Sequence, residues 1–275
     1  MSPDDLAKLL AVPQLPACLS RLTKELISDI KAQSPILAKP AGRLIELGGK
    51  RLRSTLVFGS ALVAGGKVDE LVFRAAKAVE LVHLASLIHN DLIDGAKRRR
   101  GSLAVQQQEG KAIALLTGDY LLALAAGQAA EHSQALAKLV SETIADMAAG
   151  QARQLDKDYQ ADPEDKAYLE VIQNKTAKLF ETACLAGGLS VNANAADLKS
   201  LGQYGRAFGL SFQIIDDLLD KDIPKTAAPK AISRARQYSA QARRALLGFD
   251  QSPTGDGLGQ LPDYYLGWAL PAKML

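Results

Sequence analysis

Cysteine is almost absent. Cys18 and Cys184 are the only two in 275 residues, and they form neither a CxxC pair nor any metal-ligand spacing. A disulfide framework and a thiolate metal centre are therefore excluded, and a reducing, cytoplasmic setting is expected. Proline is missing over a long stretch: between Pro40 and Pro224 only Pro163 occurs. A proline inside a helix costs about 3 kcal/mol, so this gap leaves room for long helices. Charge of one sign is missing too. Lys and Arg number 33 against 30 Asp and Glu, a formal net charge of +3, and the basic residues are spread along the chain. No nucleic-acid partner is expected from that balance. The first ten residues, MSPDDLAKLL, hold no basic segment followed by an apolar block, so no signal peptide is expected. The most apolar stretch, residues 112–126, is interrupted by Asp119 and is expected to be too short to cross a bilayer, which leaves no transmembrane segment.

No run alternates apolar and polar residues with the period of two that marks a half-buried strand. Ala, Leu, Lys, Gln and Glu fill the proline-free region instead. The expected fold is all-α, a single domain over residues 1–275. Helices are predicted at 16–33, 35–47, 51–65, 69–94, 110–131, 134–158, 164–187, 195–220 and 228–247. Ser34-Pro35 and Asp162-Pro163 each place a capping side chain before a proline at the first helical position. Gly187-Gly188 reads as a helix stop, and residues 250–261, rich in Gly, Pro, Ser and Asp, read as a surface loop.

Two of these helices are apolar on all sides and then end in acids. The helix at 69–94 is apolar all round from Leu71 to Ile88 and finishes His89-Asn90-Asp91-Leu92-Ile93-Asp94. The helix at 195–220 finishes Asp216-Asp217-Leu218-Leu219-Asp220 after a similar apolar run. An all-round apolar helix belongs in the centre of a bundle. Helical spacing is expected to bring the oxygens of Asn90, Asp91 and Asp94 into one small volume, and those of Asp216, Asp217 and Asp220 into another. Like charges repel, and a helix C-terminus is the negative end of its dipole, so a bare protein gains nothing from this arrangement. A divalent cation reverses the sign, since Mg²⁺ takes carboxylates together with substrate phosphates. One such cluster alone is equally well a solvated helix end. Two of them, each on a core helix, favour metal and diphosphate. Basic residues supply the other half: Gly48-Gly49-Lys50-Arg51-Leu52-Arg53 opens one helix, and Arg98-Arg99-Arg100-Gly101 follows the first acidic cluster. Guanidinium groups grip phosphate bidentately, and glycine lets a backbone N–H approach an anion.

In this order the motifs resemble those of the trans-type polyprenyl diphosphate synthases, the farnesyl, geranylgeranyl and longer-chain enzymes. Gly49-Lys50-Arg51-Leu52-Arg53 is similar to that family's GKRxR element, and residues 80–94, followed by Arg99-Arg100-Gly101, to its first aspartate-rich region. Gly118-Asp119-Tyr120 resembles its GDY element, Lys175-Thr176 its KT pair, and Phe212-Gln213 through Asp220 its FQxxDDxxD region. The likeness runs from about residue 45 to residue 220. It implies a bundle of mostly antiparallel helices around a deep cavity, usually in a homodimer, and a prenyltransferase that joins isopentenyl diphosphate to an allylic diphosphate. It also implies Mg²⁺, three ions by the family's usual count, carried by Asn90, Asp91, Asp94, Asp216, Asp217 and Asp220. Gly49, Lys50, Arg53, His83 and Arg100 would bind isopentenyl diphosphate, and Arg99 and Lys175 the allylic diphosphate. Thr176 and Gln213 would turn oxygens toward the developing allylic cation. Ala85 and Ser86, five and four residues before the first motif, would floor the product tunnel. Both are small, so a product of twenty carbons or more is expected.

Two departures bear on this reading. The family's opening aspartate is Asn90 here, one negative charge fewer beside the metal. After Asp220 the chain lacks the family's GKPxGxDL-like loop, so the C-terminal region is shortened, and Lys221, Lys225 and Lys230 are the lysines available to close the site. Two alternatives stay open: a low-activity or regulatory subunit of a heteromeric prenyltransferase, and a class I terpene cyclase. The cyclase has no use for an isopentenyl diphosphate site.

Overall fold

Side-chain caps set where the helices begin. In the computed structural model, which describes residues 1–32, 34–156, 159–249 and 252–270, Ser2, Ser34, Asp69, Ser133, Asp165, Asn194 and Ser252 each accept a backbone N–H from the first turn they precede. The helices are α1 (Pro3–Leu9), α2 (Leu15–Lys31), α3 (Pro35–Glu46), α4 (Leu52–Val63), α5 (Glu70–Ile93), α6 (Val105–Gln108), α7 (Lys111–His132), α8 (Gln134–Gln154), α9 (Lys166–Ile172), α10 (Lys178–Ser190), α11 (Ala195–Asp220), α12 (Ala228–Ala245) and α13 (Pro253–Ala269). The predicted helix ends at residues 33 and 158 lie outside the described residues.

Helices α5 and α11 form the axis of the bundle. Helix α5 packs along α7, α10 and α4, and α11 lies between α10 and α12. One continuous apolar cluster runs from Leu6 on α1 to Leu270 after α13. It follows from the all-round apolar character of α5, whose buried residues include Val72, Phe73, Val79, Leu84 and Ile88.

Four expectations are corrected. Gly187-Gly188 is not a stop, and α10 runs on to Ser190. A Cβ at Gly187 would lie 2.3 Å from the Val57 carbonyl oxygen, so the glycine serves close packing of α10 on α4. The helix expected over 164–187 starts at Lys166, capped by Asp165 rather than by the predicted Asp162-Pro163, and is broken by a π-helical segment, Gln173–Ala177, between α9 and α10. Residues 253–261 are helical, part of α13: Ser252 caps it, Pro253 starts it, and Gly257 lets it touch the Leu9 carbonyl of α1. Asp250 and Gln251, also in that predicted loop, lie outside the described residues. Finally, the apolar segment at 112–126 belongs to the 22-residue α7, long and apolar enough by length and composition to cross a membrane, with a third of its most apolar stretch buried.

A two-stranded hairpin, β1 (Arg98–Arg99) and β2 (Ser102–Leu103), is the one sheet among the described residues. Arg100 and Gly101 both have positive φ, 50° and 80°, as a two-residue type I′ turn requires. Gln106 fastens this hairpin to the end of α5 by donating to the carbonyls of Asp91 and Ala96, each at 2.7 Å.

Candidate active site

The C-terminal ends of α5 and α11 open onto one cavity of about 640 Å³. From α5, His83, Ser86, Asn90 and Asp94 face it, spaced three or four residues apart on one stripe. From α11 come Phe212, Gln213, Asp216, Asp217 and Asp220. The turn before α4 adds Gly49, Lys50 and Arg51, the first turn of α4 adds Arg53, the hairpin adds Arg99 and Arg100, and the π segment adds Lys175 and Thr176. The π turn adds a residue to the helical repeat, which re-aims side chains, a device frequent at functional sites.

Not every acid in the clusters faces the cavity in the same way. A helix advances about 100° per residue, so the second acid of each cluster is turned off the stripe of the first. Asp91 is 3% exposed, does not line the cavity, and takes the Arg99 guanidinium, with Nε 2.9 Å from Oδ1. Asp217 is held by the Tyr168 hydroxyl and by the Gln213 amide, each at 2.6 Å. The expectation that three oxygen-bearing side chains of each cluster share one volume is corrected for the first cluster, where Asp91 is turned away; Asp216, Asp217 and Asp220 all line the cavity, with Asp217 engaged by its two donors. Asn90 and Asp94 on one wall face Asp216 and Asp220 on the other.

Charge is left unsatisfied on both sides. Among the described residues, none of Lys50, Arg53 and Arg100 has a carboxylate within ion-pair distance, and neither Asp94, Asp216 nor Asp220 has a cation. Burial pushes Lys50 and Arg100 below their usual values and Arg53 down to about 10. The Arg53 Nε is buried without a hydrogen-bond partner. Burial pushes Asp216 up and Asp217 to about 6. His83 is held well below its usual value by burial and by Arg53, whose Nη1 lies 3.4 Å from its Nε2, so the ring is neutral. Gly49 makes room for this cationic cluster. A Cβ there would meet Arg100 Nη2 at 2.7 Å.

The floor is polar on one side and apolar beyond. Thr176 donates to the Gln213 amide oxygen at 2.7 Å, and Lys175 Nζ, lowered by burial, reaches Gln154 Oε1 at 2.5 Å. Past them an apolar cavity of about 270 Å³ adjoins the first, with Ser86, Asn90, Met147 and Lys175 lining both. Val82, Leu122, Ile144 and Leu155 continue it. Ser86 thus stands at the junction. Ala85 is fully buried and lines neither space.

The donor set fits a hard divalent cation. The groups facing each other are oxygens, from Asn90, Asp94, Asp216 and Asp220, with no thiolate and no charged imidazole among them. Among the described residues, no three Asp, Glu, His or Cys side chains converge closely enough to hold an ion alone. An ion here would take further ligands from an anion, which is how Mg²⁺ behaves with phosphates.

Residues 34–233 match the family model described as polyprenyl synthetase. The chain belongs to that family. It is 35% identical over 204 residues to heptaprenyl diphosphate synthase component 2 of Geobacillus stearothermophilus, covering 74% of this chain and 63% of that protein. It is 34% identical over 210 residues to solanesyl-diphosphate synthase 2, chloroplastic, of Oryza sativa, covering 74% and 52%. The chain thus spans roughly half to two thirds of the curated relatives it matches. Among solved structures, a polyprenyl synthase from Caulobacter crescentus, complexed with calcium and isoprenyl diphosphate, aligns with a TM-score of 0.85 and 26% identity over 98% of both chains. The all-α fold is that of this family's synthases.

Two residues that hold the cavity's acids carried no sequence signal. Tyr168 and Tyr265, which donate to Asp217 and Asp216, lie outside every motif. Glu80, buried, accepts from Arg51 and, at 2.7 Å, from Ser54, which steadies the turn that carries Lys50 and Arg53. Its place at the head of the first acidic region was a signal, but its neighbours could not be read without the fold.

Proposed function

We propose that this chain is a prenyltransferase that condenses isopentenyl diphosphate with an allylic diphosphate, extending it to a trans-polyprenyl diphosphate of twenty carbons or more. The observation that carries the reading is the pairing of unmet charges. Among the described residues, Lys50, Arg53 and Arg100 have no carboxylate, and Asp94, Asp216 and Asp220 no cation, within ion-pair distance, all around one cavity that opens into an apolar annex. A diphosphate bridged by divalent cations satisfies both sets at once.

Lys50, Arg53, Arg100 and the neutral His83 hold the diphosphate of the isopentenyl substrate, with Gly49 keeping that corner open. Arg99 and Lys175 grip the allylic diphosphate, and Asp91 fixes Arg99 from behind. Asn90, Asp94, Asp216 and Asp220 would hold Mg²⁺, beside Asp217, which is held by the Tyr168 hydroxyl and the Gln213 amide. When bound, the metal supplies Lewis-acid stabilisation of the departing diphosphate. The Thr176 and Gln213 oxygens then lie beside the allylic carbon as it gains positive charge, where fixed dipoles in a dry site act most strongly. Met147, Ile172 and Phe212 keep water from that carbon. The isopentenyl double bond attacks it, and the proton lost afterwards goes to the released diphosphate, so no side chain is needed as base. The lengthening chain threads past Ser86 into the apolar annex.

We read residues 1–275 as one domain, joined by the continuous apolar cluster. The exposed Leu115 and Leu116 on α7, 49% and 51% accessible, favour a second copy packed there, hence a homodimer. Two free cysteines, one buried and one half-buried, suit a cytoplasmic protein. The relatives named heptaprenyl diphosphate synthase component 2 favour a second reading, a subunit that needs another chain. The cationic corner around Lys50 and Arg53 argues against a cyclase. The test incubates purified protein with Mg²⁺, isopentenyl diphosphate and allylic diphosphates of five to twenty carbons, with mass spectrometry of the extracted alcohols. Elongated trans products support the synthase. No product alone, but product after adding a second chain, supports the subunit.

A further inference from the structure

We propose that Tyr265, on the C-terminal helix α13, is a positioning residue for the metal-binding face. The inference rests on the reading above. The Tyr265 hydroxyl donates to Asp216 Oδ1 at 2.6 Å. Among the described residues no cation lies within ion-pair distance of Asp216, so this neutral bond sets the orientation of its carboxylate. With Oδ1 held, Oδ2 is the oxygen turned to an ion.

The tyrosine is itself firmly placed. It is fully buried, and its ring stacks on Phe212 with centroids 4.6 Å apart and planes 23° from parallel. The same helix reaches the opposite charge. Lys50 Nζ lies 4.9 Å from the Tyr265 ring centre and 4.5 Å from that of Trp268. A cation over aromatic faces is held without a counter-ion and stays available to an anion. One helix therefore touches Asp216 through a hydroxyl and Lys50 through two rings.

Asp217 shows the same device with a different partner. Tyr168 on α9 donates to it at 2.6 Å. The half-buried Asp216 and the buried Asp217 are thus each held by a tyrosine from a neighbouring helix, whereas among the described residues no tyrosine holds the exposed Asp220.

The test separates hydroxyl from ring. Tyr265→Phe keeps the stack and removes only the donor. In calorimetry with inorganic pyrophosphate and Mg²⁺, it is expected to raise the Mg²⁺ concentration for half-maximal binding about tenfold, the scale of a hydrogen bond to a charged group. Trp268→Leu is expected to raise KM for isopentenyl diphosphate and leave the Mg²⁺ dependence unchanged. Adding Tyr265→Phe to Asp216→Asn should cost little further, because the two side chains act as a unit; this cycle also covers any loss of stability in the single variant. An unchanged or lowered Mg²⁺ requirement in Tyr265→Phe, with wild type binding normally, overturns the positioning role alone. Wild-type protein that binds no pyrophosphate with Mg²⁺ overturns the site reading and this inference together.

Discussion

Arg53 offers a test in which stability and function move in opposite directions. Its guanidinium is enclosed at the cavity wall with no carboxylate partner among the described residues, its Nε unbonded, and burial pushes it from 12.5 down to about 10. A base whose folded value is depressed loses stability on folding, and that loss is fully present at every pH below about 10. The shift of about 2.5 corresponds to roughly 3 kcal/mol. Contact with the open cavity reduces this, and the guanidinium also gains about 0.5–1 kcal/mol over the Phe180 ring, 4.7 Å away. Arg53→Met keeps the unbranched stem and removes the charge, so the ligand-free protein should gain about 1–2 kcal/mol, or some 2–6 °C in Tm. Protection by pyrophosphate with Mg²⁺ should fall sharply in the same variant. Urea melts with and without both ligands read the two effects together. A less stable ligand-free protein with pyrophosphate protection intact would refute the reasoning, because Arg53 would then be a structural residue.

Other outcomes follow from individual side chains. Asn90→Asp restores a negative charge at the cavity wall and should lower the Mg²⁺ needed for half-maximal pyrophosphate binding about threefold to tenfold; no gain would mean that position 90 does not meet the ion. Ser86→Phe, at the junction of the two cavities, should shorten the products seen by mass spectrometry, and unchanged lengths would remove Ser86 from the tunnel floor. Asp217 sits near 6 in the ligand-free chain, raised from 3.8 by burial. A raised acid favours the folded state at low pH, so its contribution falls as pH rises from about 4 to 6 and stays lost above that. Urea melts at pH 4.5 and 7.5 should show a slope, worth up to about 2 kcal/mol, that Asp217→Asn flattens.

Helix placement was legible because α5 and α11 carry their periodicity and caps locally: the predicted 195–220 matches α11 from end to end. Proline content told less than expected. Helix α13 contains Pro262 and four glycines between Gly255 and Gly267, yet it is held by Ser252 at its start and by close packing on α1. Tertiary contact there overrides local propensity. The motif residues around Lys50, Asp94, Lys175 and Asp216 do gather at one cavity. Their second partners, Tyr168, Tyr265 and Gln154, come from helices distant in sequence, and nothing in a tyrosine's or glutamine's neighbours announces the acid or amine it will meet. The rotation of Asp91 away from its cluster could have been read from the 100° step of the helix.

The central claim is that the ends of α5 and α11 and the cations beside them form one site for a metal-bridged diphosphate. Calorimetric titration of inorganic pyrophosphate into purified protein, with and without Mg²⁺, tests it most directly. The account predicts strong coupling: each ligand binds weakly alone and at least tenfold more tightly with the other, and Asp94→Asn with Asp216→Asn abolishes the gain. Equal pyrophosphate affinity with and without Mg²⁺, or coupling that survives both substitutions, would contradict it.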